Sequence, residues 1–206
     1  MIDTAFLITA FVTMFVVIDP IGLTPVFLAL TQGVKPQERH AIAIRSCALA
    51  MLFLTAFAMG GEAILGFIGI SMPAFRVAGG VLLFLTALEM LFERRAKRRE
   101  DQGETSQDDP SVFPLALPLI SGPGAIASII LLTGQRPGIE GMAMVLGVTA
   151  LVIGACLALF LASGLIERAL GRTGVNVVTR LLGMLLAALA VQFVLDGLRD
   201  FALMPG

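Results

Sequence analysis

The sequence predicts an all-α membrane protein: six transmembrane helices forming two inverted three-helix repeats, with spans 1 and 4 broken. Three observations carry that expectation. The 206 residues are 57% hydrophobic and only 14% charged, with a mean hydropathy of +0.95, whereas a soluble domain carries about a quarter charged residues. Apolar stretches near the ~20 residues that cross a bilayer recur along the chain. Small-residue and proline marks also recur about a hundred residues apart.

The spans are read at 4–31, 41–68, 72–92, 112–133, 140–167 and 176–199. The chain divides into a first three-span repeat over 1–92, a polar cytoplasmic linker over 93–111, and a second repeat over 112–206. The linker is rich in Arg, Lys, Asp, Glu, Gln and Ser, which cannot bury a core and stay solvated. Matching marks set the repeat. Arg76 and Arg180 open the third and sixth spans at an offset of 104, shared by Gly60 with Gly164. Gly69-Ile-Ser71 and Gly174-Val-Asn176 lie 105 apart, and Pro20 and Pro123 lie 103 apart. A duplicated unit of three spans must enter the membrane in opposite directions, which gives inverted repeats about an axis in the membrane plane.

Basic residues set the orientation. Eleven Lys and Arg flank the first, third and fifth connections, and three (Arg76, Arg136, Arg199) flank the other side. The eleven are expected on the cytoplasmic side, which puts both termini in the periplasm of an inner membrane. The N-terminus lacks a basic region, so its apolar stretch reads as a retained span rather than a cleaved signal.

The two breaks are the sharpest functional signal. Asp19-Pro20-Ile21-Gly22-Leu23-Thr24-Pro25 interrupts the first span, and Pro118-Leu119-Ile120-Ser121-Gly122-Pro123-Gly124 interrupts the fourth. Freed backbone groups in lipid cost several kcal/mol unless satisfied inside the protein, so breaks persist where they are buried or line a polar cavity. At about 1.5 Å per residue, Pro123 lies roughly 17 Å into its span, near the middle of a core about 30 Å thick. Thr24 followed by Pro25 reads as an N-cap and first-turn pair, and Pro123 as a first helical residue. The repeat offset pairs Pro123 with Pro20, whereas the capping pattern pairs it with Pro25. Helix N-termini at both breaks would present unpaired N–H groups and a positive dipole end to a carboxylate.

Asp19 lies deep in its span, where a carboxylate costs about 2.5–3.5 kcal/mol. It has two readings that can hold together: a ligand for an ammonium or coupling proton, and a cap on nearby N–H groups. Arg76, Arg180 and Glu89 are candidates for gating or ion pairing; snorkelling to the interface is the plainer reading of the two arginines. Gln192 and Asn176 suit either interhelical hydrogen bonds or a cavity wall. Gly79, Gly80 and Gly183 suit close helix packing. Cys47 and Cys156 lie in apolar stretches and read as buried thiols. The single histidine, His40, falls in a polar connection, and no metal, nucleotide or dinucleotide motif occurs. Ser121 lacks a histidine base in any span, so an enzyme is not expected. No metal or other cofactor is expected, though a proton or sodium ion is a candidate coupling ion. The net charge of −1 excludes a nucleic-acid surface.

Asp19-Pro-Ile-Gly-Leu-Thr-Pro25, Pro73-Ala-Phe-Arg-Val-Ala-Gly-Gly80, Pro114-Leu-Ala-Leu-Pro118 and Ser121-Gly-Pro-Gly-Ala-Ile126 together resemble the MarC family. Gly174-Val-Asn176 and Arg180-Leu-Leu-Gly183 fit its last span. The resemblance covers essentially the whole chain. It implies an inner-membrane protein; some members, the SnatA type, are described as transporters of small neutral amino acids such as alanine and glycine, and others have no settled activity. Carried over, it places Asp19, Pro20, Gly22, Pro25, Ser121, Gly122, Pro123 and Gly124 at a site. The expected function is therefore a secondary transporter for a small zwitterion, with Thr24 at the same site. A channel or a non-transporting scaffold is the alternative. The partners expected are that substrate and the bilayer. Gly- and Ala-rich faces suit internal packing or a homo-oligomer equally.

Overall fold

The computed structural model describes residues 4–92 and 109–202, and within them every regular element is helical. The order is α1 (Thr4–Ile18), α2 (Pro20–Leu30), α3 (Pro36–Ile68), α4 (Met72–Leu91), an irregular helical segment α5 (Ser111–Ile120), α6 (Pro123–Gln135), α7 (Ile139–Leu161) and α8 (Ser163–Ala202). Among the described residues, five helical stretches are long and apolar enough to cross a membrane, or six if α5 and α6, bent by 55°, form one span. Most of the expected linker lies outside the described residues.

Boundaries differ from expectation in the second half. The fifth span ends at Leu161 rather than 167. The connection expected over 168–175, between the fifth and sixth spans, contains Gly171, which takes φ 60 and ψ 178 while the chain stays helical on both sides. Positive φ is open to glycine at little cost, and Gly171 is the residue at which the helix is kinked. The first-half corner lies at its expected place. Gly69 at φ 83 closes α3, with its N–H on the Gly66 carbonyl and the Ile70 N–H on the Leu65 carbonyl. That is a Schellman closure. Ser71 then caps α4.

α5 is the least regular segment. Phe113 and Leu117, each preceding a proline, take extended dihedrals, and both proline bonds are cis. Pre-proline residues are pushed out of the helical region. Hydrogen bonds span five residues instead of four: Leu115 N–H to the Pro110 carbonyl and Ser121 N–H to the Ala116 carbonyl. Asp109 begins the segment, accepting from the Ser111 hydroxyl and N–H and pairing with Arg45. The Ser111 hydrogen bonds first, and Arg45 after them, hold the Asp109 carboxyl below its ordinary range. Its contribution is therefore present above about pH 4 and is lost as pH falls through the lowered value.

Two seams hold the helices together. α4 packs along α8 in an antiparallel sense, with Gly80 against Ala190 and Val194, Gly183 against Ala87, Met90 and Leu91, and Gly197 against Pro73 and Val77. A Cβ on Gly80 would lie 2.8 Å from the Ala190 carbonyl oxygen. Small residues let backbones approach this closely where lipid supplies no hydrophobic drive between helices. The second seam joins α3 to α7. There the thiols of Cys47 and Cys156, both buried and free, come within hydrogen-bond reach. Nearby, Phe27 of α2 stacks on Phe160 of α7 at 4.4 Å and 4°. The outer faces carry exposed large apolar side chains, among them Leu52, Met59, Leu85, Met184 and Leu195, as a lipid-facing surface requires.

Two outcomes follow for the packing. Replacing Gly80 by Val is expected to destabilise the protein by at least about 2 kcal/mol, seen as a lower midpoint of thermal unfolding in detergent. A chain cut in the 93–108 linker should be rejoined by mild copper-phenanthroline oxidation through Cys47 and Cys156. Two separate bands on a non-reducing gel would contradict the α3–α7 contact.

Candidate functional site

The first break is one residue wide. Asp19, between α1 and α2, takes φ 56 and ψ 63. This left-handed region is costly for side chains in general, and Asn and Asp are the residues that visit it most readily after glycine. The Asp19 N–H still donates to the Phe15 carbonyl at 2.9 Å, and its carbonyl accepts from Leu23 N–H at 3.0 Å. The chain therefore turns without losing both helical bonds. Asp19 is fully buried, and its Oδ1 accepts the Gly22 N–H at 3.1 Å. A Cβ on Gly22 would collide with Asp19 Oδ2, so the cap requires glycine there. Pro20 holds the first helical position. Having no N–H, it deprives the Val16 carbonyl of its usual i+4 donor.

The restart expected at Thr24–Pro25 is corrected by this geometry. Both residues lie inside α2, and the Thr24 hydroxyl donates back to the Pro20 carbonyl at 2.9 Å instead of capping. Asp19 displaces Thr24 as cap because its carboxylate stands at the residue where φ changes sign. Pro20 and Pro123 thus hold equivalent first positions, and Pro25 does not.

The second break is wider. Ser121 is buried, and its hydroxyl donates to the Ala50 carbonyl of α3 at 3.1 Å. Gly122 precedes α6 and offers no side-chain cap. A Cβ on Gly122 would lie 2.6 Å from the Pro118 carbonyl oxygen. Pro123 takes the first helical position and is exposed. The Gly124 and Ala125 N–H groups belong to the first turn and have no intrahelical acceptor. They form the positive end of the α6 dipole.

The breaks meet through Gly124. A Cβ there would lie 3.2 Å from Val17 Cγ1 of α1 and 3.6 Å from Leu83 Cδ2 of α4. Val17 stands two residues before Asp19. Farther along the same helices, the Arg136 guanidinium lies over the Phe6 ring at 5.5 Å. α1 and α6 therefore run antiparallel, with the start of α6 beside the end of α1. Asp19, Pro20 and Gly22 on one side, and Ser121, Gly122, Pro123 and Gly124 on the other, flank this junction.

The other candidates lie elsewhere. Arg76 does not reach Asp19; it pairs with Asp200 near the end of α8. Asp200 was not singled out from the sequence, because nothing local marks it as the partner of a residue 124 positions away. Glu89 and Arg180 sit toward the opposite end of the α4–α8 seam, around the Gly183–Met90 contact. Gln192 donates to Asp196 on its own helix at 2.9 Å. Asn176 is partly buried on α8.

A family model described as MarC family integral membrane protein matches residues 4–202. The chain belongs to the MarC family. Relatives run the length of the protein. It is 36% identical to a UPF0056 membrane protein of Methanocaldococcus jannaschii, over 96% of this chain and 98% of that one. It is 34% identical to a UPF0056 membrane protein of Aquifex aeolicus, over 94% and 92%. It is also 34% identical to the UPF0056 inner membrane protein YhgN of Escherichia coli, over 94% and 96%. No solved structure matches. This MarC protein is thus an integral membrane protein whose two chain breaks adjoin.

Substitution at Asp19 separates its cap from its charge. Asn tolerates the left-handed conformation and keeps an oxygen for the Gly22 N–H, so Asp19→Asn is expected to unfold within about 1 kcal/mol of wild type. Asp19→Leu loses the cap and strains the backbone, at about 2–4 kcal/mol. Thermal unfolding of both variants in one detergent checks the pair.

Proposed function

We propose that this MarC protein is a secondary transporter of small neutral amino acids of the alanine and glycine type in the inner membrane. The two halves are inverted repeats, and they rock to expose a central site alternately to either side. The observation that carries the reading is the junction of the two breaks. The uncapped start of α6 offers N–H donors to a carboxylate, while the Val16 carbonyl and the Asp19 carboxylate offer acceptors to an ammonium. A zwitterion carries both charges a few ångströms apart and complements that pattern.

Helix packing supports the inverted repeat. Gly80 seats against Ala190 and Val194, and Gly183 seats against Ala87 and Leu91. Each pair of equivalent residues is 103 apart in sequence (80 and 183, 87 and 190, 91 and 194), the same as Pro20 and Pro123. A twofold axis in the membrane plane makes such contacts reciprocal. The pairings of α2 with α8 and of α4 with α6 are likewise exchanged by it, as are those of α2 with α7 and of α3 with α6. The termini face the periplasm in this reading. An ion gradient, of protons or sodium, or the substrate's own gradient drives transport, since no ATPase motif occurs in the chain.

Saturable flux of labelled alanine or glycine into proteoliposomes is the expected result. Asp19→Asn should lower kcat/KM by about tenfold or more, the scale of one lost charge-assisted hydrogen bond. Flux that rises linearly with concentration would favour a channel, and no flux of any amino acid would favour a scaffold.

A further inference from the structure

Thr13 of α1 and Ser128 of α6 are fully buried, and neither hydroxyl has a hydrogen-bond partner among the described residues. Thr179 of α8 is a third such hydroxyl, away from the α1–α6 seam, but five other helical threonines meet that need locally. Thr9, Thr24, Thr86, Thr133 and Thr149 each donate to the carbonyl four residues back, at 2.8–3.0 Å. Thr13 and Ser128 forgo this bond. Buried hydroxyls are normally satisfied, so an orphan needs an explanation.

Their positions supply one. Phe6, Thr13 and Val17 share a face of α1 at helical spacing, and Gly124 and Ser128 share a face of α6. The Phe6–Arg136 and Val17–Gly124 contacts fix the antiparallel register. Thr13 and Ser128 come to the same level in the α1–α6 seam, one turn from the Gly124 contact. The two orphan hydroxyls therefore lie about one helical turn from the uncapped N–H groups of Gly124 and Ala125 and from the Val16 carbonyl stripped of its donor by Pro20. Donors, acceptors and two groups able to act as either converge on one seam between the halves.

We propose that the Thr13 and Ser128 hydroxyls hydrogen-bond the transported molecule, a small zwitterion held between α1 and α6. The inference rests on the transport reading given above. Ser128, one turn inside the positive end of α6, donates to the carboxylate beside the Gly124 and Ala125 N–H groups. Thr13, on the side of the α1 carbonyls, accepts from the ammonium beside Val16. The close Gly124–Val17 approach suits a substrate with a small side chain.

Removal of an orphan hydroxyl that serves nothing should leave stability unchanged or raised, and leave transport untouched. Thr13→Val and Ser128→Ala are expected instead to fold at least as well as wild type while raising KM for glycine about tenfold. A second measurement does not depend on flux. In a background carrying Cys47→Ala and Cys156→Ala, Thr13→Cys and Ser128→Cys are placed in membrane vesicles and treated with methanethiosulfonate ethylammonium. Both should react about tenfold or more faster than Leu54→Cys, a fully buried core position, because reaction needs a hydrated thiolate. Glycine should slow them. Labelling no faster than Leu54→Cys, or fast labelling without glycine protection in a protein that transports glycine, would overturn the inference and leave the transport reading standing. Fast labelling with no amino-acid flux and no protection would overturn the transport reading and, with it, the zwitterion as occupant of the seam.

Discussion

A backbone that leaves the helix inside a bilayer has to find its hydrogen bonds within the protein, and Asp19 is where this chain first meets that demand. One residue in the left-handed region turns the first span, and the same residue's carboxylate takes up the Gly22 N–H that the turn releases. Because the turn is so short, α1 and α2 stay close enough in direction for the stretch from Thr4 to Leu30 to count as one span. α2 is then free to pack on α7 and α8 while α1 lies along α6 and α7. Had the restart begun at Thr24, the chain would have carried several more freed groups with no carboxylate beside them.

The second half meets the same demand with different chemistry. No carboxylate stands at Ser121, Gly122 or Pro123. The Ser121 hydroxyl reaches instead to α3, and five-residue hydrogen bonds carry the chain past two prolines. The start of α6 is left without a side-chain cap. Its positive end lies beside the closing carbonyls of α1, so the two helix dipoles run in opposed directions, which is favourable where the dielectric is low. One break is closed and the other open, and they face each other across Val17 and Gly124.

Much of this arrangement is legible from composition and spacing. Hydropathy locates the helical stretches, because lipid leaves only helices and closed barrels as solutions. Pro20 and Pro123 mark helix starts because proline lacks a donor wherever it stands. Gly80 and Gly183 mark close packing because only small residues allow it. What stays hidden depends on groups distant in sequence or on a single dihedral. The Arg76–Asp200 pair forms only once α4 and α8 are side by side. The choice of Asp19 over Thr24 as cap turns on one φ value that an aspartate reaches and most residues resist. Phe113 looked like part of an ordinary span until the following proline pulled it out of the helix. Thr13 and Ser128 carry no local mark at all, since a helical hydroxyl with a partner and one without look the same in sequence.

The α4–α8 seam has a consequence for how the protein is built. α8 leaves the ribosome roughly a hundred residues after α4, and synthesis at about 5–20 residues per second makes that an interval of several seconds or more. Throughout it, Gly80 of α4 lacks the Ala190 and Val194 it packs on, and Arg76 has no Asp200 to neutralise it. The first half therefore enters the membrane with its tightest contact surface vacant. A second copy of that half, made at the same time nearby, offers a similar glycine face. Carrying α4 and α8 in one chain places the correct partner at high local concentration as soon as it is inserted, so the seam closes within the molecule rather than between copies.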